Sequence, residues 1–234
     1  MLSDSIFAAD KVGARGYTGA RPDVVEMIRT SPGMVLDVGC GAGLTAGLVT
    51  ERYPKAVVVG VEPDEKLAII ARRGMSTVLQ AKVDSADTLE CLEQFGPFDL
   101  IICADVLEHL AEPARVLAAL TQLLAKDGAL ITSVPNIRHI STFVSLGVFG
   151  TWPMRDRGIH DRTHLRFFAR RNILELGRCA GLVLIEERRN LRLFEASAWS
   201  MIPAKLLDFW PFRGFLTFQY LHRWSVAEHC DAGH

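Results

Sequence analysis

The chain has 234 residues, 49% of them hydrophobic and 23% charged, and its formal net charge of −1 argues against a nucleic acid partner. Its five cysteines lack CxxC spacing, which favours reduced thiols and a cytoplasmic protein over a disulfide or metal framework. Because no apolar run reaches transmembrane length and the N-terminus lacks a signal-peptide pattern, no membrane-spanning segment is predicted.

From residue 35 onward, short apolar runs alternate with segments of helical character. The predicted strands are Val35–Val38, Ala56–Val61, Thr77–Val83, Phe98–Ala104, Ala129–Val134, Leu182–Arg188 and Phe218–Val226. The predicted helices are Leu44–Arg52, Glu65–Arg73, Pro113–Ala125 and Asn172–Ala180. Because repeated strand–helix units form parallel sheets covered on both faces, we expect an α/β fold.

We expect a single domain over residues 1–234, in which residues 1–32 form an N-terminal cap. Two insertions, 137–168 and 189–217, interrupt the alternation, and long insertions in compact domains are usually lids or binding loops. The second insertion is rich in Trp, Phe and Leu, so it is expected to cover the sheet. Two alternatives for it stay open: a lid over an apolar acceptor, and a peripheral contact with a membrane.

The stretch VLDVGCGAG places Gly39, Gly41 and Gly43 directly after the first strand. Because glycine has no side chain, a ligand can approach the backbone of such a turn closely. Open α/β sheets bind ligands beyond the carboxyl ends of their strands. Glu62 ends the second strand at the same edge, where an acid can accept both hydroxyls of a ribose. A nicotinamide cofactor would also fit, because residues 41–46 match the weak pattern GxGxxA.

Asp37, two residues before the first glycine, distinguishes between the candidate cofactors. A carboxylate there would repel the pyrophosphate of a dinucleotide, whereas it would attract a cofactor with a cationic amino-acid tail. S-adenosylmethionine has a ribose, an adenine, an ammonium and a sulfonium, and it has no phosphate.

VLDVGCGAG resembles the first motif of class I S-adenosylmethionine-dependent methyltransferases. VVGVEPDEKL, FDLIICADVLEHLAEP and ALITSVPN resemble later segments of that family, so the likeness covers about residues 33–136. Residues 159–182 resemble a phrase of bacterial small-molecule methyltransferases, many of them associated with cell-surface polysaccharide or lipid modification. The resemblance implies a Rossmann-like, mostly parallel seven-stranded sheet with strand seven antiparallel. It also implies S-adenosylmethionine as cofactor and S-adenosylhomocysteine as product.

Most of the expected cofactor contacts follow from the resemblance. The segment with Tyr17 and Arg21 is expected to close over the cofactor, with Arg21 pairing with the methionine carboxylate. The adenine contact is expected near Asp84, although AKVDSAD departs from the family's usual form there and leaves the register open. The predicted cofactor-binding residues are Tyr17, Arg21, Asp37, Gly39, Cys40, Gly41, Gly43, Glu62, Pro63, Asp84, Ser85, Ala104, Asp105 and Val106.

A base is needed only where the attacking atom carries a proton that it cannot lose alone. His109, in LEHL, is the first candidate, followed by Asp161 and His164 of the cluster HDRTH. The predicted acceptor-binding residues are Asn136, His160 and Arg162. Two histidines four apart would suit zinc on a helix, but Thr163 and Gly158 favour a loop, and no metal site is predicted.

These features predict methyl transfer to oxygen or nitrogen of a small molecule, with a sugar, nucleotide sugar or glycolipid intermediate as the first choice of acceptor. Three alternatives stay open: a nicotinamide-dependent oxidoreductase, a non-catalytic cofactor-binding module, and a methyltransferase acting on protein or RNA. The sequence does not specify an oligomeric state.

Overall fold

The computed structural model describes residues 19–192 and 213–227, which contain one seven-stranded sheet. Its strands are β1 (Met34–Val38), β2 (Val57–Val61), β3 (Thr77–Leu79), β4 (Phe98–Ala104), β5 (Leu124–Pro135), β6 (Leu182–Leu191) and β7 (Thr217–Val226). The spatial order is β3-β2-β1-β4-β5-β7-β6, and β7 runs antiparallel to the other six strands. The predicted Rossmann-like fold, with strand seven antiparallel, is confirmed.

Helices flank this sheet. They are α1 (Pro22–Val25), α2 (Leu44–Arg52), α3 (Glu65–Ala71), α4 (Ala86–Glu93), α5 (Pro113–Gln122), α6 (Ile140–Phe143), α7 (Arg170–Cys179) and α8 (Arg213–Leu216). A 3-10 turn covers Leu107–His109, and a π-helical turn, Val144–Val148, follows α6. The short helices α1, α4, α6 and α8 were not predicted from the sequence.

Several predicted boundaries were wrong, two of them for identifiable reasons. The third strand stops at Leu79, because it pairs only with β2 and Leu79 lies opposite Val61, where β2 ends. Helix α5 ends at Gln122, three residues before the predicted end, because Leu124 already pairs with Phe98 of β4. The backbone amide of Phe98 also donates to the carbonyl of Leu123 at 2.8 Å, which fixes the chain in extended form there.

The two faces of the sheet are buried by different helices. On β1, Val35 belongs to the cluster that includes Val49 of α2, whereas Leu36 belongs to the cluster that includes Leu117 of α5. Because successive side chains of a strand point to opposite faces, a central strand covered on both sides is apolar throughout. This explains the near-continuous apolar runs in the sequence.

The antiparallel strand β7 is fixed by a buried tryptophan. Trp224 is 1% exposed, and its indole N–H donates to the hydroxyl of Thr132 on β5 at 2.9 Å. Its ring packs against Gly177 of α7, where an added Cβ would lie only 2.6 Å from the ring. The alternating pattern of residues 218–226 predicted this strand, and its antiparallel direction agrees with what the family resemblance implied.

The backbone of the first predicted insertion, 137–168, is hydrogen-bonded to the 3-10 turn that follows β4. The amides of Leu165 and Arg166 both donate to the carbonyl of Glu108, at 2.8 and 3.0 Å. Of the second insertion, residues 193–212 lie outside the described residues, as do Tyr17 and most of the Trp199–Phe218 aromatic run. Within the described ranges, no helix has both the length and the apolar character that crossing a membrane requires.

Candidate active site

A cavity of about 620 Å³ opens where the carboxyl ends of β1, β2 and β4 meet the first insertion. Ligands of open α/β sheets bind at this edge. The predicted site residues that line it are Arg21, Asp37, Gly39, Cys40, Gly41, Glu62, Pro63, Asp84, Ala104, Asp105, Val106, His109, Asp161 and Arg162. Gly19, Thr45, Lys82, Val83, Arg157 and Leu165 also line it.

The glycine loop forms one wall of the cavity. Gly39 has a φ of +68°, and a Cβ added there would lie 2.6 Å from Cγ2 of Val106. Gly41 and Gly43 also have positive φ, +55° and +79°. The amides of Gly39 and Cys40 donate to the carbonyl of Val61, so the loop is held against the end of β2. Glycine is therefore required both for backbone conformation and for space.

Glu62 connects the end of β2 to this loop. Its Oε2 accepts from the amide of Gly41 at 2.8 Å, and its Oε1 accepts from the amide of Asp64 at 2.9 Å. The residue is 6% exposed, and burial raises the pKa of its carboxyl even though both amide hydrogen bonds oppose that change. The carboxylate is therefore oriented at the cavity wall, with lone pairs left for further donors.

Asp37 is the most deeply buried acid of the cavity wall. It is 4% exposed, and its Oδ2 has no hydrogen-bond partner among the described residues. Burial, and to a lesser degree the nearby charge of Glu62, raises the pKa of Asp37 to about 7. A buried carboxylate oxygen without a donor is costly, so its surroundings suit a cationic or N–H-bearing ligand.

Arg21 lines the cavity, but its guanidinium is already bound to protein acceptors. Its Nη1 is paired with Asp105. Its Nε donates to Asp23, and its Nη2 donates to Asp23, Ser133 and Gln219. Asp105 has a φ of +58° and lies at the end of β4, where burial raises its pKa against the opposing effect of Arg21. The predicted pairing of Arg21 with a cofactor carboxylate therefore stays a prediction, in competition with these contacts.

The loop after β3 supplies the cavity wall beyond Glu62. Lys82, Val83 and Asp84 line the cavity, and the carbonyl of Asp84 accepts from Arg115 of α5 at 2.6 Å. Ser85 does not line the cavity, since it occupies the N-cap position of the unpredicted helix α4. The register that the sequence left open thus brings residues 82–84 to the cavity.

The 3-10 turn and the first insertion together form the opposite wall of the cavity. Nδ1 of His109 lies 3.1 Å from the hydroxyl of Thr163, and that hydroxyl donates to Asp161 at 2.6 Å. Asp161 also accepts from the amide of Thr163, so the loop is held by its own side chain. Arg162 pairs with Asp156 at 2.8 Å on the exposed rim. Polar groups from two distant segments therefore meet at the cavity mouth.

Several predicted site residues do not line the cavity. Asn136 is fully buried, and its side-chain amide donates to the carbonyls of Gly214 and Thr217, which fixes the start of β7. His160 is also fully buried, with its ring 5.0 Å from that of Trp152, so it supports the insertion. The other predicted residues that the cavity does not include are Gly43, at the start of α2, Ser85 and His164.

His164 lies instead beside a residue that the sequence analysis missed. Glu108 is 2% exposed, and neither of its carboxyl oxygens has a hydrogen-bond partner among the described residues. Burial, followed by the charge of Asp105, raises the pKa of Glu108 well above its ordinary value. One donor atom each of Glu108, His109 and His164 lie within 4.8 Å of one another. The sequence LEHL alone could not indicate this cluster, because its third member, His164, comes from the first insertion.

Comparison with known proteins identifies the family. A family model described as a methyltransferase domain matches residues 18–187, which is most of the chain and includes every strand through β5. The chain belongs to the methyltransferase domain family. The resemblance to class I S-adenosylmethionine-dependent methyltransferases, based on the glycine loop and on the segments after β2, β4 and β5, is thereby confirmed.

Relatives of this methyltransferase-family chain include ubiquinone biosynthesis O-methyltransferases. The protein of that name from Aromatoleum aromaticum is 32% identical over 158 residues, covering 65% of this chain and 64% of the relative. The one from Xylella fastidiosa strain M23 is 30% identical over 129 residues, covering 54% and 51%. The chain thus spans between half and two thirds of the length of these relatives.

Among solved structures, a methyltransferase from Archaeoglobus fulgidus described as dependent on S-adenosylmethionine superposes with a TM-score of 0.61. It is 14% identical, and the match covers 95% of this chain and 99% of that one. At this identity the likeness shows the fold of the methyltransferase-family chain, and its reaction has to be argued from the site.

Proposed function

We propose that the protein transfers a methyl group from S-adenosylmethionine to a hydroxyl oxygen of a small molecule. The observation that carries the proposal is the pair of acids at the cavity: Asp37 and Glu62 flank the glycine loop at the ends of neighbouring strands. Glu62 suits the two hydroxyls of a ribose, and the unpartnered oxygen of Asp37 suits the cationic amino-acid end. When bound, the cofactor supplies a methyl group made electrophilic by its sulfonium.

The other side of the cavity is where the acceptor would bind. His109, Asp161 and Arg162 provide polar groups there, whereas Val106 and Leu165 provide apolar surface. We assign to His109 the loss of the acceptor's hydroxyl proton, since it lines the cavity and is only partly exposed. Holding the deprotonated oxygen in line with the methyl group accounts for much of the expected rate.

The acceptor we favour is a hydroxylated aromatic ring rather than the sugar expected from the sequence. The mixed apolar and polar lining supports a ring with a polar substituent, and the names of the curated relatives support O-methylation of such a ring. A nucleotide sugar remains the second acceptor to test, because Arg157 and Arg162 at the rim would attract a phosphate.

Two measurements test the proposal. Calorimetric titration with S-adenosylmethionine, S-adenosylhomocysteine and NAD should show binding of the first two only, and binding of NAD alone would contradict it. Transfer of a radiolabelled methyl group should then be detected with a dihydroxylated benzoate. Transfer only to nucleotide sugars would overturn the choice of acceptor and leave the reaction intact. Cofactor binding without transfer to any acceptor would support the non-catalytic alternative.

A further inference from the structure

We propose that Thr163 is a positioning residue that joins His109 to Asp161 and fixes which nitrogen of His109 takes the acceptor's proton. The inference rests on the proposed function, in which His109 is the base. All three residues line the cavity. Thr163 belongs to the first insertion and His109 to the 3-10 turn after β4, 54 positions apart in the chain, so only the fold brings them into contact.

The direction of these hydrogen bonds follows from the hydroxyl of Thr163. Its oxygen lies 2.6 Å from Oδ1 of Asp161, and because an ionised carboxylate can only accept, the hydroxyl donates there. A hydroxyl has one hydrogen, so its oxygen has only lone pairs left for its second contact, at 3.1 Å from Nδ1 of His109. Nδ1 of His109 therefore carries the hydrogen of that bond.

The backbone carbonyl of Thr163 supports the same assignment independently. It lies 3.4 Å from Nδ1 of His109, and a carbonyl oxygen has no hydrogen to donate. Two acceptors of one residue thus meet the same ring nitrogen. Because the hydrogen bond made by one nitrogen of a histidine sets its tautomer, the lone pair of neutral His109 lies on Nε2, which is then the nitrogen that can take a proton.

Further contacts hold Thr163 and His109 in place. Oδ1 of Asp161 also accepts from the amide of Thr163 at 2.8 Å, so it fixes both the backbone and the side chain of that residue. The ring of His164 meets the ring of His109 edge-on, with 4.7 Å between the centroids and an interplanar angle of 74°. Burial is the main cause that lowers the pKa of His164, so this neighbouring ring stays neutral at neutral pH. The base is thus oriented by hydrogen bonds and by ring packing.

This arrangement also stabilises the charge that His109 gains when it acts as a base. The acceptor's hydroxyl proton bonds to the lone pair of Nε2, and the electron pair of the O–H bond stays on the acceptor oxygen. The imidazolium donates from Nδ1 to the hydroxyl of Thr163, which is polarised by its own bond to the carboxylate of Asp161. After methyl transfer, the imidazolium returns the proton to water. Asp161 therefore acts on His109 through Thr163.

The tautomer can be measured without turnover by nitrogen NMR of protein labelled with ¹⁵N-histidine. The chain has seven histidines, and the signals of His109 are those lost in His109→Gln. At pH 8, where an ordinary histidine is neutral, we expect the Nδ1–H form of His109 to predominate. Thr163→Val should raise the fraction of the Nε2–H form, and Thr163→Ser should keep the wild-type signals. Thr151→Val, at an exposed threonine of the same insertion, is the matched control and should change nothing. A predominant Nε2–H form in the wild type, or an unchanged tautomer in folded Thr163→Val, would overturn the proposal.

Methyl transfer provides a second readout. Thr163→Val should lower kcat at least about tenfold, a part of the roughly 10²–10⁴-fold that a general base contributes, with little change in the KM for S-adenosylmethionine. Thr163→Ser should recover most of this loss. Asp161→Ala should lower kcat as well, and combining it with Thr163→Val should cost little more than either change alone, because residues that act as a unit are not additive. Additive losses would contradict the connection through Thr163. A wild type that binds the cofactor but methylates no acceptor would contradict the proposed function, while the NMR measurement still decides the role of Thr163.

Discussion

Glu62 and Gly41 are joined by a hydrogen bond of 2.8 Å, which places the acid of β2 directly against the glycine loop of β1. A single carboxylate thus does two things: it holds the loop, and it presents its remaining lone pairs to the cavity. A change at Glu62 should therefore alter ligand binding, and one that leaves no oxygen facing Gly41 should also destabilise the loop.

Glu62→Gln is expected to weaken S-adenosylmethionine binding by about 1–3 kcal/mol, the free energy of a hydrogen bond to a charged group. The side-chain oxygen of glutamine can still accept from the amide of Gly41, so the glycine loop should keep its conformation, while the amide of Asp64 loses its acceptor. Calorimetry measures the change in affinity, and Glu65→Gln, an exposed residue of α3, is the control that should bind normally. Unchanged affinity in a folded Glu62→Gln would remove this residue from the cofactor site.

Asp37→Asn should make the cofactor-free protein more stable at pH 8. The folded pKa of about 7 lies above the ordinary 3.8, so folded Asp37 binds more protons than unfolded Asp37 between these values. Wild-type stability therefore falls as pH rises through this window and levels off above it, whereas the asparagine variant lacks this dependence. Urea unfolding at several pH values measures the difference, which should shrink as the pH approaches 4.

The same variant should lose the thermal stabilisation that S-adenosylmethionine gives the wild type, because a neutral amide does not pair with the ammonium. Thermal melts with and without cofactor, at pH 8, provide this readout. A variant that is more stable and still fully stabilised by cofactor would contradict the assigned role of Asp37.

Gly39→Ala should destabilise the protein by about 2–4 kcal/mol, adding the strain of a left-handed residue to overlap with Val106. Gly47→Ala is a matched control in helix α2, since a Cβ there meets nothing within 4 Å. It should stabilise by roughly 0.5–1 kcal/mol through reduced entropy of the unfolded chain. Denaturant midpoints of the two variants should shift in opposite directions, and a shift in the same direction would refute the account of the loop.

The ion pair of Arg21 and Asp105 connects the N-terminal segment to the end of β4. Asp105→Asn keeps a residue that tolerates the φ of +58° while removing the charge, and it should cost roughly 2–4 kcal/mol. A double-mutant cycle with Arg21→Met should give a coupling of about 1–3 kcal/mol. Coupling indistinguishable from zero would mean that the two residues do not interact in solution.

Local motifs account for the part of the site that the sequence predicted. Asp37, Gly39, Gly41 and Glu62 could be placed together because each lies at or just after the end of a strand, and parallel strands end at one edge. Arg21 could be placed near the cavity by family resemblance, but its protein partners come from β4, β5 and β7. Such pairings depend on tertiary contacts that no local spacing encodes.

The errors have the same origin. Asn136 follows β5 as the strand-end rule requires, yet its amide binds the backbone that begins β7. Glu108 directly precedes His109 in the sequence, but its surroundings depend on Leu165 and Arg166, whose amides donate to its carbonyl from the first insertion. Both cases involve segments far apart in sequence, where residue type and spacing carry little information.

The antiparallel course of β7 separates the two ends of the described chain. β7 begins beside Pro135, at the cavity edge of the sheet, and its last residue, Val226, pairs with Leu182, where β6 begins at the opposite edge. Gly19, in contrast, lines the cavity itself. A tether attached after Val226 would therefore leave the cavity mouth accessible, whereas one attached ahead of Gly19 would crowd it. This difference is a practical guide for immobilising the protein on a sensor surface.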